Sequence, residues 1–391
     1  MFIGKEAITI MKIAYIYSTL ATKGGTERMI IEKANYLADH FGYDVTIITC
    51  IQHPHENNSF YTSKKVKQIK LGFPYFSQYR YKYPKRLWVK YAINKELREL
   101  LTKEIRHIKP NILIGIGHYK ADIICNIDCE AKIIVECHEA RNFTQSSMSQ
   151  HQNLISKLFL SLYRNAYFRT IEKKADAVVT LTQGDKELWN KAKRTEVIPN
   201  FTIMPIHHIS KCEGKRVIAV GRLSWEKGYD RLIEIWKIVE LKYPDWFLDI
   251  YGEGELEKDL KEDVVKNNIK NITFHKFTDT ISDEYTKSSI CVMTSYYEGF
   301  ALVLLEALKH GVPCIAFNCP FGPSSIIEDN HCGFLIENGN INLFAEKLSI
   351  LIENAKLRKA FSEAAINRSE AFTVGHIMEL WKSLFESIAV Q

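Results

Sequence analysis

The chain has 391 residues, of which 46% are hydrophobic and 25% are charged, and its formal net charge is +6. These ordinary globular values, at a length sufficient for two or three domains, exclude a disordered chain, a collagen-like repeat and a small disulfide scaffold. The charge is divided unevenly, because residues 1–200 hold 31 basic and 19 acidic side chains (+12) and residues 201–391 hold 21 and 27 (−6).

In the first half, short apolar runs alternate with longer amphipathic segments. The first run is followed by a Gly-rich turn and by a predicted helix over residues 27–41. This alternation predicts βαβ units and a parallel sheet with helices on both faces. The predicted strands are KIAYIYS (12–18), DVTIITC (44–50), ILIGIG (112–117), KIIVECH (132–138) and DAVVTLT (176–182).

The second half repeats this plan after a segment over residues 197–214 that has two prolines and little periodicity, which we interpret as a linker. We therefore expect an α/β protein with two Rossmann-like, doubly wound domains facing each other across a cleft. The expected boundaries are 1–200, 201–373 and a final helix over 374–391 that packs back on the first domain. The predicted strands are RVIAVGRLS (216–224), WFLDIYGEG (246–254), NITFHKF (271–277), ICVMTS (290–295) and PCIAFN (313–318).

The nine cysteines form no CxxC pair, and several lie in apolar runs. This spacing fits neither a zinc site nor a disulfide framework, so we expect buried free thiols in a reducing cytosol. No apolar run approaches the length that spans a bilayer, and residues 1–10 lack the features of a secretory signal. These observations predict a cytoplasmic protein.

The stretch SYYEGFALVLLEALKHGVP (295–313) contains two carboxylates with seven residues between them, Glu298 and Glu306. Ala301–His310 suits a buried helix, so its free N–H groups would lie between the two carboxylates and could bind a phosphate. A ligand with a central diphosphate would suit this layout, with one sugar at Glu298 and the vicinal hydroxyls of a ribose at Glu306. The alternative is a surface Glu298 and an incidental Glu306.

A second stretch, VGRLSWEKGYDRLI (220–233), places Arg222 and Lys227 on one strand-to-helix loop beside glycines. Two cations there suit a diphosphate and would stabilise charge on a phosphate leaving group. The alternative is a pair of solvated loop cations.

Two further features lie in the first half. TKGGTER (22–28) places Gly24 and Gly25 between a strand and a helix, as in a phosphate-binding loop, but it could equally be a tight turn. In ECHEARN (136–142), His138 ends a strand where it could contact a sugar, or it could be a structural histidine.

Together these four features resemble the retaining glycosyltransferases of family 4, which have the GT-B fold. CPFGPSSIIEDNHCGFLI (319–336) also resembles the segment that follows the Glu-x7-Glu helix in bacterial polysaccharide members. The resemblance implies a catalytic site of Glu298, His138, Arg222 and Lys227. It implies that the nucleotide-sugar is bound by Gly24, Gly25, Arg222, Lys227, Thr278, Glu298, Gly299, Phe300, Ala301 and Glu306. Near Thr278, where the family usually has a small residue, this chain has Lys276.

The resemblance further implies transfer of a hexose with retention of anomeric configuration, from a nucleotide-sugar to a glycan or lipid-linked acceptor. UDP is the first candidate for the nucleotide and GDP the second. The sequence contains no Asp-x-Asp motif, so we expect no metal and no other cofactor, with Arg222 and Lys227 in the role of the metal. Two alternatives stay open: a non-catalytic nucleotide-sugar-binding partner of another transferase, and a nucleotide-sugar epimerase.

Most of the positive charge of the first half lies in residues 51–100, which carry 11 basic and 3 acidic side chains among many aromatic ones. This segment could meet an anionic membrane surface, which would place the protein peripherally on the inner face of the plasma membrane. Alternatively it is a solvated loop and helix whose aromatic side chains pack inward. We expect no nucleic-acid partner, since nothing else resembles a nucleic-acid module.

Overall fold

The computed structural model describes residues 10–82, 84–117, 120–141 and 154–389, and these fall into two compact units. The first unit contains the chain up to Thr180, then Lys186–Ile198, and then the chain from Met378 onward. The second unit contains Leu181–Asp185 and Pro199–Ile377. The chain therefore passes between the units more than once.

The first unit is built on a seven-stranded sheet in the order β3-β2-β1-β4-β5-β6-β7, with every pair parallel. The sequence pattern did not predict β3 or β7, because both are short edge strands without a buried apolar run. The strands are β1 (Lys12–Tyr17), β2 (Asp44–Thr49), β3 (Lys67–Lys70), β4 (Ile112–Ile116), β5 (Lys132–Glu136), β6 (Ala177–Thr180) and β7 (Thr195–Val197).

Helices connect these parallel strands, as in a doubly wound sheet, except that β2 and β3 are joined by a loop. The first helix begins at Gly25 and ends at Asp39, so the predicted span 27–41 was shifted by two residues and Gly25 lies in the first helical turn. The helices up to the linker are α1 (Gly25–Asp39), α2 (Lys85–Ile108), α3 (Ala121–Ile124), α4 (Leu154–Lys174) and α5 (Gln183–Glu187).

The second unit has a six-stranded sheet in the order β10-β9-β8-β11-β12-β13, again parallel throughout. Its strands are β8 (Arg216–Val220), β9 (Phe247–Tyr251), β10 (Ile272–His275), β11 (Ile290–Met293), β12 (Cys314–Phe317) and β13 (Gly333–Ile336). The remaining helices are α6 (Tyr229–Lys242), α7 (Glu257–Lys266), α8 (Ile281–Lys287), α9 (Leu302–Lys309), α10 (Pro323–Ile326), α11 (Ile341–Glu353), α12 (Ala355–Ser369) and α13 (Val374–Ala389).

Side-chain alternation along β8 gives the second sheet an apolar core on each face. Val217 and Ala219 pack on one face with Trp236, whereas Ile218 packs on the other face with Leu304. The two doubly wound, Rossmann-like sheets confirm the predicted fold class.

The order of the strands reverses beside β1 in the first sheet and beside β8 in the second. In parallel sheets, ligands bind beyond the carboxyl ends of the strands at such reversal points. A ligand site is therefore expected at the loops that follow β1 and β8.

All nine cysteines are free, and all except the half-buried Cys129 are buried, which confirms the prediction of buried free thiols. Among the described residues, no helix combines the length and the apolar character needed to cross a bilayer.

Candidate active site

The loop after β8 carries Arg222 and Lys227 and is folded tightly by glycines. A short 3₁₀ turn over Trp225–Lys227 ends at Gly228, whose φ is +63°. A Cβ atom at Gly228 would collide with the carbonyl of Thr294, and the Thr294 hydroxyl donates to the Gly228 carbonyl at 2.8 Å. Only glycine fits this position, so the loop is fixed against the end of β11.

Two further glycines, which the sequence pattern did not single out, pack against the Arg222 side of this loop. Cβ atoms at Gly252 and Gly254 would collide with the carbonyls of Gly221 and Leu223. The backbones are joined there, because Leu223 N–H donates to the Glu253 carbonyl at 3.0 Å. The signal was present as YGEGE (251–255), where two glycines stand at the end of the predicted strand 246–254.

Lys227 and Glu298 form an ion pair, with 2.8 Å between Nζ and Oε1. The Ser295 hydroxyl donates to the same carboxylate oxygen at 2.7 Å. The Lys227 side chain is 25% exposed and the Glu298 side chain 9% exposed, so the pair lies at the edge of the protein surface. The structure thus brings together two predicted site residues that lie 71 positions apart.

After Glu298 the chain turns sharply into α9. Ala301 precedes the helix with a φ of +64°, which a residue with a side chain rarely adopts, so the helix begins at Leu302 and not at the predicted Ala301. Within the described residues, no acceptor is bonded to the amides of Phe300, Ala301, Leu302 or Val303. These amides come directly after Glu298 in the chain. They are the N–H groups that the start of a helix leaves without an intrahelical acceptor.

Glu306 lies in α9 and is 7% exposed. The buried Tyr285 hydroxyl donates to Glu306 Oε2 at 3.4 Å. Burial, and next the charge of Glu306, raise the pKa of Tyr285 well above its usual range. Glu306 is therefore held as a partnered carboxylate in an otherwise apolar helix.

Arg222, Gly299 and Thr278 have fewer defined contacts. The Arg222 side chain is exposed and has no partner among the described residues. Gly299 is half-buried in the turn before α9. Thr278 follows β10, and its hydroxyl accepts from the Thr280 amide at 3.1 Å. No described contact joins Thr278 to the Lys227–Glu298 pair.

A polar network that the sequence analysis did not identify lies just before Thr278. Asp249 accepts from Arg216 at 2.8 Å and lies 2.7 Å from His275 Nε2, while Glu284 accepts from Tyr251 at 2.6 Å. Burial, and next Glu284, raise the pKa of Tyr251. The network ties β8, β9, β10 and α8 together.

In the first unit, Gly24 precedes α1 in an extended conformation. The Glu27 side chain folds back over it, because a Cβ atom at Gly24 would collide with Glu27 Oε2. Glu27 also accepts from the Tyr17 hydroxyl at 3.0 Å and from the Thr22 hydroxyl at 2.9 Å. The Glu27 carboxylate, which the sequence pattern did not single out, thus lies over the Gly24–Gly25 turn.

His138 lies two residues beyond Glu136, the last residue of β5. His138 Nε2 is 2.9 Å from Glu136 Oε1, an ion-pair distance, without the geometry of a hydrogen bond. Glu136 also contacts Lys33 of α1, so three ionisable side chains meet at the end of β5. In the part of the chain that the structure describes, no group of three or more His, Cys, Asp or Glu side chains has the arrangement of a metal site.

Two family models match the chain, one in each half. The model described as Glycosyltransferase Family 4 matches residues 23–202, and the model described as Glycosyl transferases group 1 matches residues 206–368. The second match contains Arg222, Lys227, Glu298 and Glu306.

Relatives extend over the whole length of the chain. An uncharacterized glycosyltransferase of Haemophilus influenzae is 32% identical over 381 residues, which cover 95% of this chain and 99% of that protein. The amylovoran biosynthesis glycosyltransferase AmsD of Erwinia amylovora is 27% identical over 392 residues, with coverage of 95% and 99%.

A solved structure supports the fold. A TarM mutant of S. aureus, in complex with Fondaparinux, alpha-GlcNAc-glycerol and UDP, matches with a TM-score of 0.76 at 18% identity, and the match covers 96% of this chain and 100% of that one. Family models, full-length relatives and fold agree: the chain belongs to the bacterial glycosyltransferases of the GT-B fold.

Proposed function

We propose that this glycosyltransferase moves a hexose from a nucleotide-sugar, most simply a UDP-sugar, to a glycan or lipid-linked acceptor in the synthesis of a cell-surface polysaccharide. The observation that carries the proposal is the Lys227–Glu298 pair directly before the unbonded amides at the start of α9. A cation, helix N–H groups and a carboxylate at one point suit a diphosphate joined to a sugar.

The proposed donor has a definite orientation. A diphosphate bound by Lys227, Arg222 and the first amides of α9 would set its sugar beside Glu298, because Lys227 and Glu298 are only 2.8 Å apart. Glu306 is four residues beyond the first residue of α9, or about 6 Å along the helix axis. With that spacing, the ribose would lie at Glu306 and the nucleobase toward Thr278.

Two of the similar proteins support the chemistry of donor and product. The TarM mutant is in complex with UDP, and AmsD is named for the biosynthesis of amylovoran. For this chain we propose UDP first and GDP second, with a polysaccharide precursor as the acceptor.

The donor proposal is tested by a thermal-shift screen of nucleotide-sugars, since a ligand that binds only the folded protein raises the melting temperature. Hydrolysis or transfer of the stabilising donor is then measured. We expect Glu306→Ala to abolish most turnover while the protein stays folded. Full activity in that variant would overturn the site.

The same measurements separate the two alternative functions. A non-catalytic partner would bind the donor and release no free nucleotide. An epimerase would change the sugar of the donor without transferring it. Transfer of the sugar to an acceptor contradicts both alternatives.

We propose retention of anomeric configuration without a metal, with Arg222 and Lys227 stabilising the leaving diphosphate. The anomeric proton coupling of the product, measured by NMR, tests retention. Loss of activity in EDTA that Mg²⁺ restores would contradict the metal-independent step. From the first unit, we propose that Gly24 and Gly25 approach the phosphates and that His138 contacts the transferred sugar.

We also propose that the protein binds an anionic membrane surface through an exposed corner, the aromatic corner, at the start of α2. The corner contains a 3₁₀ turn over Tyr75–Arg80 and the first turns of α2, and six of its large apolar residues are 39–77% exposed. The inward-packing alternative is right for the buried Phe73 and Tyr75, but wrong for Phe76, Tyr79, Tyr81, Leu87, Trp88 and Tyr91.

Charge complementarity supports a lipid surface as the partner. Arg80, Lys82, Lys85, Arg86 and Lys90 lie within this corner, and no Asp or Glu occurs between Glu56 and Glu96. Each cation near an anionic bilayer contributes about 1 kcal/mol, and Trp and Tyr favour the depth of the headgroups. This contact would place the protein on the inner face of the plasma membrane.

The membrane proposal is tested by sedimentation with phosphatidylglycerol-containing vesicles and with pure phosphatidylcholine vesicles. We expect binding to the anionic vesicles alone, weakened by salt and by a Trp88→Ala/Tyr91→Ala variant. A Leu241→Ala/Val265→Ala variant, which changes equally exposed apolar side chains of the second unit, is the control. Equal binding by the two variants would overturn the proposal.

A further inference from the structure

The first unit encloses a charged cluster at the carboxyl end of β5. The Glu136 side chain is 1% exposed and the Lys33 side chain 2% exposed, and the two are in direct contact. His138 Nε2 approaches the same carboxylate oxygen, Oε1, to 2.9 Å, and the His138 side chain is 5% exposed. One oxygen atom thus serves both a buried cation and an imidazole.

Three elements surround this cluster besides β5. Lys33 comes from α1, and its Nζ lies 4.7 Å from the centre of the Trp381 ring of α13. Tyr15 of β1 is fully buried, and its hydroxyl has no partner. Burial, and next the charge of Glu136, raise the pKa of Tyr15 well above its usual range. Glu136 Oε2 is also buried without a partner.

The cluster is poorly explained as a device for stability. A buried ion pair generally stabilises no better than well-packed apolar side chains of similar volume. The cluster also leaves three buried polar atoms, Tyr15 Oη, Glu136 Oε2 and His138 Nε2, without a hydrogen bond, and such atoms destabilise the folded state. Stability therefore does not explain the Glu136 carboxylate, which we expect to have another role. Its second ionisable partner is His138.

The position of the cluster indicates that task. Strand β5 ends at Glu136, at the edge of a parallel sheet where ligands bind, and His138 lies two residues beyond. Among the described residues, Glu136 is the sole partner of the His138 ring. Which nitrogen of a histidine carries the proton is set by what its other nitrogen contacts.

We propose that Glu136 is a positioning residue for His138, holding the Nε2 edge of the ring while Lys33 supplies the buried counter-charge. A lone pair on Nε2 would be repelled by a carboxylate oxygen 2.9 Å away, so the ring keeps its proton on Nε2 and presents Nδ1, as an acceptor, to a substrate hydroxyl. This inference rests on the proposed role of His138 beside the transferred sugar.

The tautomer of His138 is measured by long-range ¹H–¹⁵N NMR on the ¹⁵N-histidine-labelled, full-length protein without a donor, and His138→Ala identifies its signals. We expect the Nε2–H tautomer in the wild type. In Lys33→Met/Glu136→Leu, which replaces the pair with apolar side chains, we expect both tautomers. A wild-type ring protonated on Nδ1 would overturn the proposal, whatever the stability of the variant.

Turnover provides the second readout. We expect Lys33→Met/Glu136→Leu to lower kcat about 10-fold or more, with little change in the KM for the donor, because both residues belong to the first unit, whereas the Arg222–Lys227 loop belongs to the second. The control is Arg141→Met/Glu172→Leu, which removes a second, partly buried ion pair of the same unit (20% and 4% exposed) and should change neither the tautomer nor kcat. An unchanged tautomer or an unchanged kcat in the first variant would show that the pair is only structural. Because the tautomer is measured without a donor, a wild-type protein that transfers no sugar would count against the proposed function alone.

Discussion

Each unit contains one lysine–glutamate pair beside a predicted site residue, and the two pairs differ in exposure. Lys227–Glu298 is 25% and 9% exposed, and a serine hydroxyl shares the carboxylate. Lys33–Glu136 is 2% and 1% exposed, and an aromatic ring covers the lysine. The residues are of the same types, but water reaches only one pair.

This difference in exposure indicates different roles for the two lysine–glutamate pairs. Water partly screens the Lys227–Glu298 pair at its lysine, so Lys227 can exchange the carboxylate for a charged ligand at a lower cost than a fully buried lysine could. A buried pair cannot lose one partner without leaving an uncompensated charge. The first arrangement suits binding, and the second suits holding a neighbouring group in place. Four predictions test this contrast, in order of decreasing effect.

The largest effect is expected for Lys33→Met, which leaves the Glu136 carboxylate buried without its cation. We expect a loss of about 3–5 kcal/mol in the free energy of unfolding, measured by chemical denaturation. The second substitution Glu136→Leu should restore most of this loss, because no buried charge then remains. A loss below about 1 kcal/mol would show that water reaches the carboxylate.

Lys227→Met should impair catalysis and leave stability almost unchanged. The free energy of unfolding should change by less than about 1 kcal/mol, because the pair is partly solvated. The kcat/KM for the nucleotide-sugar should fall about 100-fold, since a cation that stabilises the leaving phosphate is lost. Lys237→Met, at an exposed lysine of the same unit that bonds Asn267, should retain wild-type kcat/KM. Equal kcat/KM in both variants would remove Lys227 from the site.

Gly252→Ala tests how firmly the loop that carries Arg222 is held. The new Cβ would collide with the Gly221 carbonyl, so we expect a loss of about 1–3 kcal/mol in stability together with weaker donor binding. Gly339→Ala is the control, because Gly339 also has a positive φ, +91°, but no atom lies within 4 Å of its Cβ. It should lose some stability through backbone strain and keep donor binding. Unimpaired donor binding by Gly252→Ala would contradict the role of this glycine.

The smallest change in the free energy of unfolding is expected when the pH is lowered from 7 to 5. Burial alone would raise the pKa of Glu136, but the charges of Lys33 and then His138 outweigh burial and lower the pKa to about 2. A carboxyl whose pKa is lower when folded contributes stability that is complete above its unfolded pKa of about 4.5 and is lost as the pH falls toward 2. We therefore expect this contribution to stay constant from pH 7 to 5. Measurement of unfolding free energy against pH in the wild type and in Lys33→Met/Glu136→Leu isolates the contribution, and a loss beginning above pH 6 would contradict it.

Much of the fold could be predicted from the sequence, because strands buried on both faces of a parallel sheet are continuous apolar runs. Glu298, Arg222 and Lys227 were also singled out, because they lie in short segments with their own turn residues, and their roles in the site stay predictions. The edge strands β3 and β7 escaped prediction because none of their residues is fully buried, and the short edge strand β13 escaped it although three of its four residues are buried. The predicted strands over 216–224 and 246–254 were too long, since Gly221 and Gly252 end them.

The pairing of Lys33 with Glu136 could not be predicted, because the order of the strands brings together residues 103 positions apart. One signal was present. Helical spacing places Lys33 on the face of α1 that also carries Ile30 and Leu37, so a charged residue falls on a buried face. The same reasoning singled out Glu306 in α9, and applying it to α1 would have identified Lys33.

The return of the chain from Met378 onward to the first unit has a consequence for synthesis. Trp381, which covers Lys33, is made only after the whole of Pro199–Ile377. At about 5–20 residues per second, a ribosome needs roughly 10–40 seconds to travel from Ile198 to Met378. During that time the second unit, nearly continuous in sequence, can fold as it emerges. The first unit, although begun earlier, is the last to be completed.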